Sequence, residues 1–198
     1  IKEGKRIIDY QPNHLIAPCD SKLSVYHINK DSLFTIKNTP YTLKSLLKSK
    51  KLADYYEQGT LLLFRLSVDD YHRYCYIDNG KKTKNYRIKG VFNTVNPVAN
   101  EVVPVYKENT REYSILSSEN FGRVLIMEVG AMMVGKIVNY HEEAKVKRGE
   151  EKGRFEFGGS TIIVCFEKGR VAIDKDILCN SARGIETLVK LGEKIGNK

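Results

Sequence analysis

Cysteine is scarce in this chain, and its placement excludes more than its number. The four cysteines, Cys19, Cys75, Cys165 and Cys179, form no CxxC pair, and no histidine stands at metal-ligand spacing from any of them. That argues against a zinc site. Four cysteines in 198 residues are too few for a disulfide scaffold, so free thiols in a reducing compartment are expected. Long apolar runs are also missing. The longest, Leu61–Phe64 and Ile162–Phe166, are strand-sized and far below the roughly 20 residues of a membrane-spanning helix. There is no internal repeat, no low-complexity tract and no clear linker. The chain opens on Ile1 without a signal-peptide pattern, and an N-terminal segment ahead of it is expected to be missing.

What is present describes a soluble globular chain with 41% hydrophobic and 29% charged residues. The net charge of +9 is uneven. Residues 1–52 hold ten Lys and Arg against four acids, Glu3, Asp9, Asp20 and Asp31. Such a field suits an anionic surface, a membrane or a nucleic acid, or is simply a solvated basic face. No aromatic ladder or recognition-helix motif accompanies the charge, so nucleic acid is not expected as a partner.

Most of the sequence reads as short strands punctuated by Gly, Asn, Asp and Pro. The segments are 25–28, 33–36, 61–67, 87–92, 102–106, 112–116, 122–129, 132–139, 154–157 and 161–167. Strands this frequent predict a single mainly β domain over residues 1–198, α+β in detail, with a sandwich-like or barrel-like core and a few peripheral helices. Two helices are predicted. Thr42–Gln58 sets Leu43, Leu46, Leu47, Leu52 and Tyr55 on one face, with Lys44, Lys48 and Lys51 opposite. Ser181–Ile195 is the second, with Gly184 inside it.

Three local features carry chemistry. Gly158-Gly159-Ser160-Thr161 interrupts an apolar strand pattern; alone it reads as a bulge or tight bend. Asp69-Asp70-Tyr71-His72-Arg73 places a histidine in a polar bend after an apolar strand. Asp20 follows the short run Leu15–Cys19, where a turn or cap is the default. Together Ser160, His72 and Asp20 are the elements of a set in which a base activates a hydroxyl and a carboxylate orients the base.

In that order, LIAPCD (15–20), FTIKNTPYTLKSLL (34–47), LFRLSVDDYHRY (63–74), VNP (95–97), FGRVLIMEVGAMMVGKI (121–137), FEFGGSTIIVCF (155–166) and GIETLVKLGEKIG (184–196) resemble the phosphatidylserine decarboxylase family over nearly the whole length. The resemblance implies self-cleavage between Gly159 and Ser160, giving a larger fragment 1–159 and a smaller fragment 160–198 that stay associated. Ser160 would attack the Gly159 carbonyl, and the ester would break by elimination to leave a pyruvoyl group, the covalent pyruvate cofactor. Asp20 and His72 would be the acid and base of that set. The implied reaction is decarboxylation of phosphatidylserine to phosphatidylethanolamine in phospholipid biosynthesis, with the pyruvoyl group as electron sink and His72 as proton donor. A lipid substrate implies peripheral attachment to the cytoplasmic face of an anionic membrane. Apolar strand edges allow a homodimer.

Two positions depart from the family pattern. Cys75 stands where a second histidine often lies, three residues after the first, and Ser21 stands where glycine usually follows the aspartate. His72 then serves both steps, or another residue replaces the second histidine, with Cys75 itself the candidate at that position; His14, His27 and His141 are the remaining histidines. Two alternatives accompany this reading: a relative acting on a soluble amino acid, and a non-enzymatic barrel-sandwich binding module.

Overall fold

The structure, a computed structural model, describes residues 6–36, 39–92, 107–130, 136–156 and 160–198. Its centre is an antiparallel sheet whose strands run, from one edge to the other, Ala144–Val146, Gly80–Lys82, Arg111–Ser118, Gly122–Val129, Ser160–Phe166, Thr60–Leu66, Ser21–His27 and Thr187–Val189. Tyr86–Ile88 adds a ninth strand, pairing with Arg111–Ser118. The order is open, so the described strands form no closed barrel, and the mainly β expectation holds in its sheet form.

The three central strands explain the apolar runs. Along Ser160–Phe166 every residue is buried. Ile162, Val164 and Phe166 enter one apolar cluster with Leu62, Phe64, Leu66, Val124 and Ile126. Ile163 and Cys165 enter a second with Leu61, Leu63, Leu125 and Met127. Side chains alternate between faces, and because both faces are covered, both parities must be apolar. The sheet therefore separates two cores.

A three-stranded sheet of Lys136–Asn139, Glu151–Glu156 and Arg73–Cys75 lies in the order written. It delivers the chain to residue 156, shortly before the central strand begins at Ser160. A third sheet pairs His14–Ile16 and Ala172–Ile173 with Lys194–Asn197.

The helices differ from expectation. The predicted 42–58 helix is two pieces, Leu43–Leu47 and Lys50–Tyr55. Lys48 adopts φ 49° between them, and the Ser49 side chain caps the second piece through the Leu52 N–H. The predicted 181–195 helix does not form. The helix there is Lys175–Ala182, and the chain beyond it supplies the strands Thr187–Val189 and Lys194–Asn197. Gly184, at φ +72°, ends the helix in the left-handed region that glycine tolerates best. The expected strand 102–106 and the start of 132–139 lie outside the described residues.

Candidate active site

Ser160 opens the central strand opposite Leu66, the last residue of the neighbouring strand. It is 1% exposed. Alternation places it on the face of Ile162 and Val164, toward the cluster that holds Cys19, Leu66, Tyr74, Cys75 and Phe155. Gly158 and Gly159 lie outside the described residues.

The turn after Leu66 is built on Ser67. Its N–H donates to Asp70 Oδ2 at 2.7 Å, and its carbonyl accepts from the Asp70 N–H at 3.1 Å. The same carbonyl oxygen lies 2.9 Å from His72 Nε2. A carbonyl only accepts, so Nε2 carries the hydrogen, and the neutral ring presents its lone pair at Nδ1. From the other side, the His72 carbonyl accepts the Phe155 N–H at 2.9 Å. His72 is thus tied to the strand that ends opposite Ser160 and to the strand that leads toward it.

Asp20 is 3% exposed, and both its oxygens are engaged. Arg6 reaches them at 3.2 and 2.5 Å, and the Leu191 N–H donates to Oδ1 at 2.9 Å. Among the described residues no hydrogen bond joins Asp20 to His72; the group that orients the imidazole here is the Ser67 carbonyl. The link between Asp20 and the histidine segment runs through Arg6, whose guanidinium lies 5.3 Å from the Tyr71 ring centroid. Burial pushes the Cys19 thiol well up, and neighbouring Cys75, Asp20 and Asp70 add to the effect. The motif segments therefore converge around Cys19.

Cys75 is 1% exposed, and burial pushes its thiol up to about 12. It is a free thiol packed in the apolar cluster with Tyr74 and Phe155. Of the other histidines, His14 bonds Asp9 at 2.8 Å and His141 contacts Tyr76 at 3.2 Å. The structure adds Ser67, Asp70 and Arg6 to the residues read from sequence. The Ser-x-x-Asp spacing of Ser67 and Asp70 is a turn-closing pattern that could have exposed the first two.

Among the described residues, no group of three or more His, Cys, Asp or Glu could hold a metal ion, and no helix is long and apolar enough to cross a membrane.

A family model described as phosphatidylserine decarboxylase matches residues 1–197. The chain is 51% identical over 196 residues to the phosphatidylserine decarboxylase proenzyme 2 of Clostridium acetobutylicum, covering 99% of the chain and 67% of that protein. It is 47% identical over 201 residues to the phosphatidylserine decarboxylase proenzyme of Clostridium tetani, covering 100% of the chain and 68% of that protein. For the corresponding proenzyme of Clostridium perfringens the identity is 45% over 196 residues, with 98% and 67% covered.

Proposed function

The chain belongs to the phosphatidylserine decarboxylase family, and from that premise we propose that it cuts itself between Gly159 and Ser160 and then decarboxylates phosphatidylserine to phosphatidylethanolamine. The observation that carries this reading is the seat of Ser160: a buried serine at the head of a central strand, directly after two glycines, beside a turn that fixes a histidine.

In the proposed maturation, Ser160 Oγ attacks the Gly159 carbonyl carbon and the peptide becomes an ester. His72 Nδ1 takes the hydroxyl proton, since Nε2 is committed to Ser67. Loss of the α-proton of residue 160 expels the Gly159 carboxylate and leaves dehydroalanine, which takes up water and releases ammonia to give the pyruvoyl group. For Asp20 to orient His72 directly, its carboxylate has to exchange Arg6 for the imidazole.

A pyruvoyl group is uncharged and no larger than the seryl residue it replaces, so the buried face that holds Ser160 accommodates it. When formed, it supplies the electron sink for loss of carbon dioxide. His72 Nδ1 is then the site from which a proton is delivered to the substrate carbon, and the apolar side chains around Ser160 keep water away.

The two fragments stay together in this reading. Strand Ser160–Phe166 is inserted between Gly122–Val129 and Thr60–Leu66, both from fragment 1–159. Thr187–Val189 and Lys194–Asn197 pair with Ser21–His27 and His14–Ile16. Cutting one peptide bond leaves all of these ladders intact.

Attachment to the cytoplasmic face of an anionic membrane, as a peripheral protein, belongs to the same proposal. The support is the basic charge of residues 1–52, with Lys44 and Lys51 exposed on the helical segment. Lys48 and Lys50 contribute less, because Glu108 and Asp54 pair with them at 2.6 and 2.7 Å.

Incubating the processed protein with vesicles containing phosphatidylserine tests the activity. Phosphatidylethanolamine should accumulate, and free serine should not be consumed. Turnover of a soluble amino acid with no turnover of the lipid would overturn the substrate assignment.

A further inference from the structure

The face of the main sheet that carries Ser160 is not wholly apolar. Glu128 stands directly opposite Ile162 on the adjacent strand. Ser160 is two residues from Ile162, so it shares that face with Glu128 and occupies the diagonal position. Glu128 is fully buried, and its Oε1 lies 2.7 Å from the Nζ of Lys152, whose side chain is equally buried. Burial pushes the Glu128 carboxyl up, and the Lys152 ammonium opposes that push.

Asn139 completes the group. Its Oδ1 accepts from Lys152 at 2.8 Å and from the Tyr74 hydroxyl at 3.2 Å. Its Nδ2 donates to Glu128 at 3.2 Å and to Glu112 at 3.1 Å. The ammonium of Lys152 also stands 5.7 Å from the Tyr74 ring centroid. Gly153 leaves room for this packing, because a Cβ there would sit 2.7 Å from the Tyr74 hydroxyl.

Stability alone does not explain such a pair. Burying a carboxylate and an ammonium gives up hydration that their attraction only just recovers, and apolar residues of similar volume often serve a fold as well. What distinguishes the pair is what it joins. Lys152 belongs to Glu151–Glu156, the strand that leads toward Gly159. Glu128 belongs to the strand hydrogen-bonded to Ser160–Phe166, which begins on the other side of that bond. Tyr74, on the third strand of the group, follows His72 by two residues. Strand geometry before and after the Gly159–Ser160 peptide, and the approach of the histidine, are thus tied at one buried point.

We propose that Glu128 and Lys152, bridged by Asn139, form a clamp that holds the two sides of the Gly159–Ser160 bond in register for attack and thereby sets the rate of self-cleavage. This rests on the self-cleavage reading above. They are positioning residues, acting through the strands and not on the reacting atoms. A misplacement of about 1 Å at a reacting pair is enough to cost on the order of 100-fold in rate.

The test follows cleavage over time by intact mass in the wild type and in Glu128→Gln, Lys152→Met, Lys152→Arg and Glu128→Met/Lys152→Met. Each clamp variant is also melted in a Ser160→Ala background, so that stability is compared in one uncut covalent state. The Met variants and Glu128→Gln should cleave roughly 10- to 100-fold more slowly. The double variant should do so while melting within about 5 °C of Ser160→Ala alone. Lys152→Arg, which keeps the charge, should recover part of the rate lost in Lys152→Met. A double variant that is folded and cleaves at the wild-type rate would overturn the clamp, as would equal slowing in Lys152→Arg and Lys152→Met. A wild-type chain that never cleaves would overturn the self-cleavage reading itself, and the clamp with it.

Discussion

His72 Nε2 lies 2.9 Å from the carbonyl oxygen of Ser67, and that contact decides which ring nitrogen can act as a base. His72→Gln can keep an N–H directed at the same carbonyl but has no titratable nitrogen. Self-cleavage should fall by about 10²- to 10⁴-fold with the melting temperature little changed, as followed by the time course of fragment appearance.

Asp70 closes the turn on which that carbonyl sits, through the 2.7 Å bond from the Ser67 N–H. Asp70→Ala leaves the N–H to water and loosens Ser67. The expected cost is about 1 kcal/mol in urea unfolding, comparable to the loss of a helix cap. Cleavage should slow by roughly tenfold, because the histidine is held less firmly.

Asp20 and Arg6 separate two roles. If Asp20 orients His72 during cleavage, Asp20→Asn slows maturation far more than Arg6→Ala, since only the first removes the carboxylate. If Asp20 acts by holding Arg6 against Tyr71, the two variants slow it alike. The proposed Ser160–His72–Asp20 set predicts the first outcome, measured as the ratio of the two cleavage rates.

Cysteine labelling checks the account of Cys75. Three of the four thiols are buried, and Cys179 alone is exposed. Native protein should take up one equivalent of maleimide at Cys179 and denatured protein four. Cys75→Ala should cleave at nearly the wild-type rate, because a thiol pushed up to about 12 contributes no base.

Lys82 gives a pH prediction with a definite sign. Lys82 is 1% exposed, and burial, reinforced by the like charge of Lys152, lowers its ammonium to about 8. The folded value lies below the ordinary 10.5, so the unfolded chain holds this proton more tightly between about pH 8 and 10.5. Over that window the contribution of Lys82 to stability rises with pH. Urea unfolding in the Ser160→Ala background should show Lys82→Met losing roughly 1–3 kcal/mol of that rise.

Much of this architecture was legible in the sequence where burial leaves a local trace. Leu61–Phe64 and Ile162–Phe166 announced themselves because strands covered on both faces are apolar at every position, and strand Gly122–Val129 begins and ends where it was expected. The 181–195 segment misled because Leu188, Leu191 and Ile195 recur at nearly helical spacing. Leu188 instead lies in the strand paired with Ser21–His27, Ile195 in the strand paired with His14–Ile16, and Leu191 in the turn between them, partners far away in sequence. The same limit applies to the site. Ser160, His72 and Asp20 each sit in a recognisable motif. The Arg6–Asp20 and Glu128–Lys152 pairs join distant segments and leave no local pattern.

The central claim is a covalent one, so mass is its most direct test. Intact mass of the native wild-type protein and of Ser160→Ala should differ in kind. The wild type should give two species, residues 1–159 and a pyruvoyl-capped 160–198 that resists N-terminal sequencing. Their sum should equal the uncut chain with one water gained and one ammonia lost. Ser160→Ala should remain a single uncut chain. A wild type that stays whole under conditions where the protein is folded, or a cut at any other bond, would contradict the account.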